Sequence, residues 1–476
     1  MDRTVPGRAL DSRGIVSRSC SRSAATLPKN LRGARRSGRA ALTDPADIAH
    51  LLRRTEFVAR KQRMLDLSGL SLTDAVDNVV DFAPNGNPQV PAELTVHDSA
   101  NSYNQSVSAY NWWLDSMATR PRPFQEKMTL FWHGLFTSEW DVVQRTDHMT
   151  HQNQLYRSLA LGNLVSLAQQ MALEPAMLIY LSNGVNVKAA PNQNFARELM
   201  ELFLLGVGNY AEDDVVAAAR AWTGHNYNTT THAYEFRPTK HDDGSKTFFG
   251  TTKNWNGPDI ISEILVDNAP KRLVAARWIT RKLWEFLAYP RPADNIVVEL
   301  ADVLIANNME TGALVRALLN RPEFYTLGAK QGLVRTPTEW AAALLSASSK
   351  SSAAVGLFGL SAGMGQTVFN PPNVSGWKSN GYWLTTSALS GRAAVAKKVA
   401  SLMRANGGFD NLYALSAPDS VDFVANVFDV APLSGLTRQA LIDAHAAERA
   451  AANGSNSRAV TNLLVMVMLC AEMNVG

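Results

Sequence analysis

The chain is poor in residues that most often announce a function. It has two cysteines, Cys20 and Cys470, near opposite ends. That excludes a disulfide framework and any cysteine-based zinc site. No long apolar run occurs, so no transmembrane segment is expected. Charged residues are sparse at 18%, against 46% hydrophobic ones, the balance of a folded chain long enough for a large core. There is no P-loop and no Gly-x-Gly-x-x-Gly in a βαβ setting. No Gly-x-Ser-x-Gly elbow is read either, so neither a nucleotide cofactor nor an α/β serine hydrolase is expected.

Basic charge is confined to one end. Residues 1–40 hold nine Arg and one Lys against two Asp, a net +8, so the remainder of a chain with net charge +4 carries −4. A mildly acidic body behind a basic tail does not fit a nucleic-acid-binding fold, whose basic surface belongs to the folded domain. Residues 1–43 read as a disordered extension, or as upstream sequence translated from a misassigned start. Arg35-Arg36 is not followed by an apolar h-region, so no export signal is read and a cytoplasmic location is the default.

Residues 44–476 read as one large helical domain. Asp44-Pro45 is a strong helix start. Helices are predicted over 72–84, 103–119, 122–134, 141–159, 162–172, 174–182, 192–205 and 211–223. They resume over 258–267, 269–287, 293–307 and 310–319, and close the chain over 388–405, 418–427, 435–448 and 457–472. Two blocks break the pattern. In 232–250, Ala233–Arg237 and Lys246–Phe249 flank His241-Asp-Asp-Gly244, which suggests a small β-hairpin or an irregular excursion. Residues 362–387 are rich in Gly, Pro and aromatics. The fold class is therefore mainly α: a multi-helix, bundle-like domain with long irregular loops. Possible lobes cover 44–225 and 258–476, joined by loop 226–257.

The most informative stretch is 191–206. At helical period Asn194, Arg197, Glu198 and Glu201 share one stripe, while Phe195, Leu199, Met200, Leu202, Phe203 and Leu204 fill nearly all the rest. The helix reads as buried all round, with a narrow charged seam. Buried carboxylates must be paired, hydrogen-bonded or metal-bound. Glu198 and Glu201, at i and i+3, suit one divalent metal, with His133 as a further ligand. The competing explanation is an Arg–Glu network drawing on Arg197, Arg220, Arg145, Arg277 or Arg281. His148 and His151 share a helix face and are further metal candidates. His241 and Asp242 suit acid–base or calcium chemistry, or simply a tight turn. Glu212-Asp213-Asp214 needs no function beyond the helix dipole. Trp377, Tyr382 and Trp383 form either a stacking platform or a loop packed on the core.

These blocks in this order resemble the bacterial family known as domain of unknown function 1800. The similarity covers about residues 45–475. It rests on Ala49-His-Leu-Leu-Arg-Arg54, Phe131-Trp-His133, Pro175–Leu181, Asn192–Phe203, Gly208–Val215, Ala219–Gly224, the His241–Gly250 loop and Gly365–Trp377. The resemblance implies a protein that is usually exported. It also implies gene neighbours similar to sulfatases and alkaline phosphatases, and so a possible partner protein of that type. Relatives commonly show Phe-Trp-His-x-His-Phe, whereas Leu135 stands here at the second histidine. That weakens a metal site built on His133.

Two readings follow. In the first, the protein is a hydrolase whose polar centre joins Arg197, Glu198, Glu201, His133, His241 and Asp242. Glu198 or Glu201 is then metal ligand or general base, and Arg197 holds an anionic group. Trp377, Trp383 and Asn194 contact the substrate, and one divalent metal is the cofactor such a centre would take. In the second, the chain is a non-catalytic scaffold for the sulfatase- or phosphatase-like partner, and the seam is a structural ion network.

Overall fold

The computed structural model describes residues 42, 44–82, 86–330, 332–451 and 456–476. The extension expected over 1–43 lies outside them except for Leu42, whose N–H bonds Leu70 O at 2.7 Å. The described protein is mainly α with two small antiparallel two-stranded sheets. Asp44 caps helix Pro45–Glu56, its Oδ1 accepting from Ala46 N at 2.8 Å. Helices Ser102–Thr119, Phe124–Leu135, Leu164–Ala172, Glu212–Ala221, Ala269–Leu287, Asp294–Ala306 and Thr311–Leu319 lie within three residues of their predicted ends. None of the described helices is long and apolar enough to cross a membrane.

Two expectations are corrected. The helix expected over 141–159 is two helices, Trp140–Val143 and Thr146–Ser158, because Gln144 adopts a left-handed conformation between them. The aromatic segments around the Asp-Gly turn are both strands, but they do not pair with each other. Strand β1 (His225–Tyr227) pairs with β2 (Tyr234–Phe236), and β3 (Lys246–Phe248) pairs with β4 (Thr251–Lys253). The second hairpin turns at Phe249-Gly250, both at positive φ, the twist that a two-residue hairpin loop requires.

The apolar side chains form two clusters. One is drawn from residues 42–324, and the other mostly from 94–149 and 340–473. Helix Phe124–Leu135 contributes to both: Phe124, Met128, Phe131 and Trp132 to the first, Leu130 to the second. It is buried on every side, so its own charges must be satisfied internally. Glu126 accepts from Arg157 Nε at 2.9 Å and Nη2 at 2.8 Å, and from Trp113 Nε1 at 2.9 Å. Lys127 pairs with Glu339. Between the clusters runs a cleft walled by this helix, by helix Ala269–Leu287 and by the irregular segment 366–379.

Candidate functional site: an unpartnered carboxylate on a π-helical turn

The 191–206 segment is helical but not uniform. Asn194–Glu198 is an α-turn that continues as a π-helix over Leu199–Leu204, a widened turn often found at functional sites. The widening shows where Leu205 N reaches back five residues to Met200 O at 2.9 Å. Gly206 ends the helix at φ +82, where a Cβ would stand 2.8 Å from the Trp278 ring; only glycine meets both demands. Trp278 also donates through Nε1 to Leu202 O at 3.2 Å.

The seam is not buried all round, as the apolar pattern suggested. Phe195, Ala196, Leu199, Met200, Phe203 and Leu204 are buried, but Arg197, Glu198, Glu201 and Leu202 are half-buried and Asn194 is exposed. The local helix therefore has one open side, and the charged residues occupy it. Arg197 grips Glu212 with two bonds of 3.0 and 2.6 Å and donates to Gln193 Oε1 at 3.2 Å. Glu201 accepts from Tyr210 Oη at 2.5 Å. Glu198 accepts no hydrogen bond among the described residues. Burial, then the charge of Glu201, raises its carboxyl above the ordinary value against the pull of Arg197. Tyr180 is pushed up to about 12 by burial and by the charges of Glu139 and Glu198, so three acids share one region.

Three of the arginines considered as alternative partners are engaged elsewhere. Arg220 pairs with Asp242, Arg145 with Asp147 and Arg281 with Asp294. Among the described residues no arginine is within ion-pair distance of Glu198 or Glu201, so the Arg–Glu network expected on this seam is not formed there.

The remaining predicted residues are dispersed. His133 ends the buried helix, 2% exposed, and its Nε2 accepts from Phe369 N at 3.0 Å. Burial lowers it to about 3, so the ring is neutral, with its proton assigned to Nδ1. Trp113 and Trp377 flank it at centroid distances of 5.2 and 5.4 Å. Trp377 is brought there by Gly376, where a Cβ would meet Gly134 O at 2.4 Å. Trp377 and Leu202 both line the cleft. Trp383 is 1% exposed and its indole N–H lacks a partner, so it packs inside rather than facing the cleft. Asn194 Nδ2 donates to Leu181 O at 3.3 Å.

His241 and Asp242 belong to a separate, self-satisfied turn. His241 Nδ1 donates to Thr223 O at 2.8 Å. The hydrogen bond from Arg220 holds Asp242 below its usual value, and Asp242 also accepts from Gly244 N at 2.8 Å. Lys246, 1% exposed, is held by Asp242 O, Gly244 O, Asn254 Oδ1 and Trp255 O at 2.5–3.0 Å. His148 is buried with Nε2 unpartnered, while His151 faces Glu174 at 3.1 Å. Among the described residues no group of three or more His, Cys, Asp or Glu is placed to hold a metal ion.

Sequence reasoning missed several residues. Tyr210 and Tyr180, which stand near the two glutamates, lie in segments that the resemblance rests on, but neither was given a role. Gly359-Leu-Ser361-Ala-Gly363 has the spacing of a nucleophile elbow, but it lies inside helix Leu357–Met364, with the Ser361 hydroxyl bonded to Phe358 O at 2.7 Å. No strand-to-turn geometry exposes it, so it is not an elbow. The buried cations Arg54, Lys127 and Arg335 near the cleft were also passed over, although Arg53-Arg54 stands in a segment that the sequence singles out.

No curated protein matches the chain, and no solved structure does either. The family model described as "Protein of unknown function (DUF1800)" matches residues 50–475, and the chain belongs to that family.

Proposed function

We propose that the protein is a hydrolase in which Glu198 is the proton carrier and Glu201, held by Tyr210, is its positioned neighbour. The observation that supports this is the contrast between two carboxylates one turn apart. Glu201 is fixed by a phenol at 2.5 Å, while Glu198 is half-buried, without a hydrogen bond among the described residues, and raised by burial. Divergent carboxyl environments are how one site holds an acid and a base at the same pH. A carboxyl raised above its ordinary value holds its proton more firmly, and can give it to a leaving group and recover it from water.

His241 and Asp242 stand in their own turn and take no part in this step; their role is to hold the segment after Ala221 against the helix that ends there. A divalent metal shared by Glu198, Glu201 and His133 has less support, because His133 already accepts from Phe369 N.

The test is a screen of chromogenic esters, glycosides and phosphates with wild type, Glu198→Gln and Glu201→Gln. Removal of a general acid–base group costs about 10²–10⁴ in rate. Any activity found in wild type should fall at least about a hundredfold in Glu198→Gln, with unchanged circular dichroism. An activity that survives Glu198→Gln intact would refute the proposal.

A further inference from the structure

A second polar region lies across the cleft. A chamber of about 60 Å³ is walled by Arg53, Arg54, Lys127, Arg335, Glu339 and Gly476, among others. Arg54, Lys127 and Arg335 are 3%, 3% and 5% exposed. Lys127 is answered by Glu339. Arg54 and Arg335 have no ion-pair partner among the described residues. Their terminal nitrogens bond only neutral acceptors: Arg54 Nη2 to Ala329 O at 2.6 Å, and Arg335 Nη1 to Met473 O at 3.0 Å. The Nε–H of Arg53, Arg54 and Arg335 is buried without a partner in each case. Arg392, also buried, adds a further unpaired charge behind Arg335, donating to Arg335 O at 2.7 Å.

Burying a guanidinium without a counter-charge costs several kcal/mol, and here Arg53, Arg54, Lys127 and Arg335 line the chamber against Glu339 and the half-buried Glu285. Burial and mutual repulsion lower Arg335 to about 9, with Glu339 opposing; it stays charged at neutral pH. The chamber adjoins a larger cleft. Glu285, Phe286, Thr336 and Ser379 line both it and the neighbouring cleft of about 240 Å³. That cleft carries the indoles of Trp278 and Trp377 and the apolar side chains of Phe131 and Leu202. A cationic end beside an aromatic trough is complementary to a ligand with a charged head and an apolar body.

We propose that this chamber and the adjoining cleft together bind a small organic anion, its oxyanion head among Arg54, Arg335 and Lys127 and its aryl or acyl body along Trp278 and Trp377. The site is distinct from Glu198, and its test does not depend on any hydrolytic activity.

The probes are inorganic phosphate and phenyl phosphate, titrated by calorimetry into the full chain with ionic strength held constant by sodium chloride. The expected result is saturable one-site binding of both, with phenyl phosphate at least tenfold tighter. Ser379 is exposed at the junction of chamber and cleft, so Ser379→Glu is expected to fold normally and to weaken both ligands at least tenfold by charge repulsion. Arg335→Gln should abolish phosphate binding; if that variant fails to fold, Ser379→Glu still decides. Absence of saturable binding by wild type overturns the proposal, whether or not the chain's own groups fill the chamber. Binding unaffected by Ser379→Glu also overturns it, and equal affinity for the two probes overturns the aromatic half.

Discussion

Two helices of this protein carry acids into largely apolar surroundings and treat them differently. Helix Phe124–Leu135 is buried on all sides, and each of its charges is answered: Glu126 by Arg157 and Trp113, Lys127 by Glu339. The segment Asn194–Leu204 has an open side. There Arg197 and Glu201 are answered, while Glu198 is not. A closed helix cannot tolerate an unpaired charge, because no water replaces the missing partner. A half-open one can, and it is there that an acid is free to exchange a proton. The contrast separates charges that are paired within the fold from one that is left without a partner among the described residues.

The sharpest way to break the comparison is Glu126→Gln. The amide keeps a hydrogen-bonding shape but leaves the fully buried Arg157 uncompensated. Breaking one side of a buried pair costs about 3–5 kcal/mol, so chemical denaturation should show a loss of that order with an unchanged m-value. A loss under about 1 kcal/mol, the usual worth of an exposed pair, would mean that the closed helix is not closed.

That distinction was only half legible beforehand. Helix ends were readable because caps are local: Asp44-Pro45 opens a helix, and the acids at Glu212-Asp213-Asp214 open another. The rule that buried acids need partners was also available, and it holds, but for a different helix. Apolar density made 191–206 look enclosed, and no local signal reports that a π-turn opens one side of it. Nor does sequence reveal that Lys127 meets Glu339, 212 residues away, or that Arg220 is taken by Asp242. One signal was present and unused: Thr336-Pro-Thr-Glu339 is a capping box, and it starts helix Pro337–Ser348. That helix supplies the acid which neutralises Lys127.

The second prediction concerns His133, on the closed helix. Its native value is about 3, below the ordinary value near 6.5. Between these limits only the unfolded chain binds the proton, so stability is lost as pH falls below about 6.5. The contribution is roughly 1.4 kcal/mol per pH unit inside that window. His133→Asn should be less stable at pH 7, by about 1–3 kcal/mol, because the Phe369 N–H loses a well-placed acceptor. Between pH 6 and pH 5, however, it should lose less stability than wild type, by about 1.4 kcal/mol. Urea denaturation at the two pH values measures this. Parallel pH dependence in both proteins would show that His133 is protonated in the folded state.

The smallest effect belongs to Glu198, and its sign is opposite to that of Glu126. The Glu198 carboxyl is raised on folding, by burial first and by Glu201 second. A raised carboxyl binds its proton more readily in the native state, so its contribution to stability is most favourable below its unfolded value. That contribution is lost as pH rises through its folded one. At neutral pH the ionised native group is therefore a mild burden, moderated by its partial exposure to water. Glu198→Gln removes that burden without stranding a partner, because no described side chain bonds it. The variant should be as stable as wild type or slightly more so at pH 7, by at most about 0.5 kcal/mol. The difference should vanish near pH 4, where the wild-type carboxyl is protonated. Thermal unfolding at both pH values reads this directly. Destabilisation at pH 7 on the scale of Glu126→Gln would mean that Glu198 holds the fold, and the difference between the two helices would disappear.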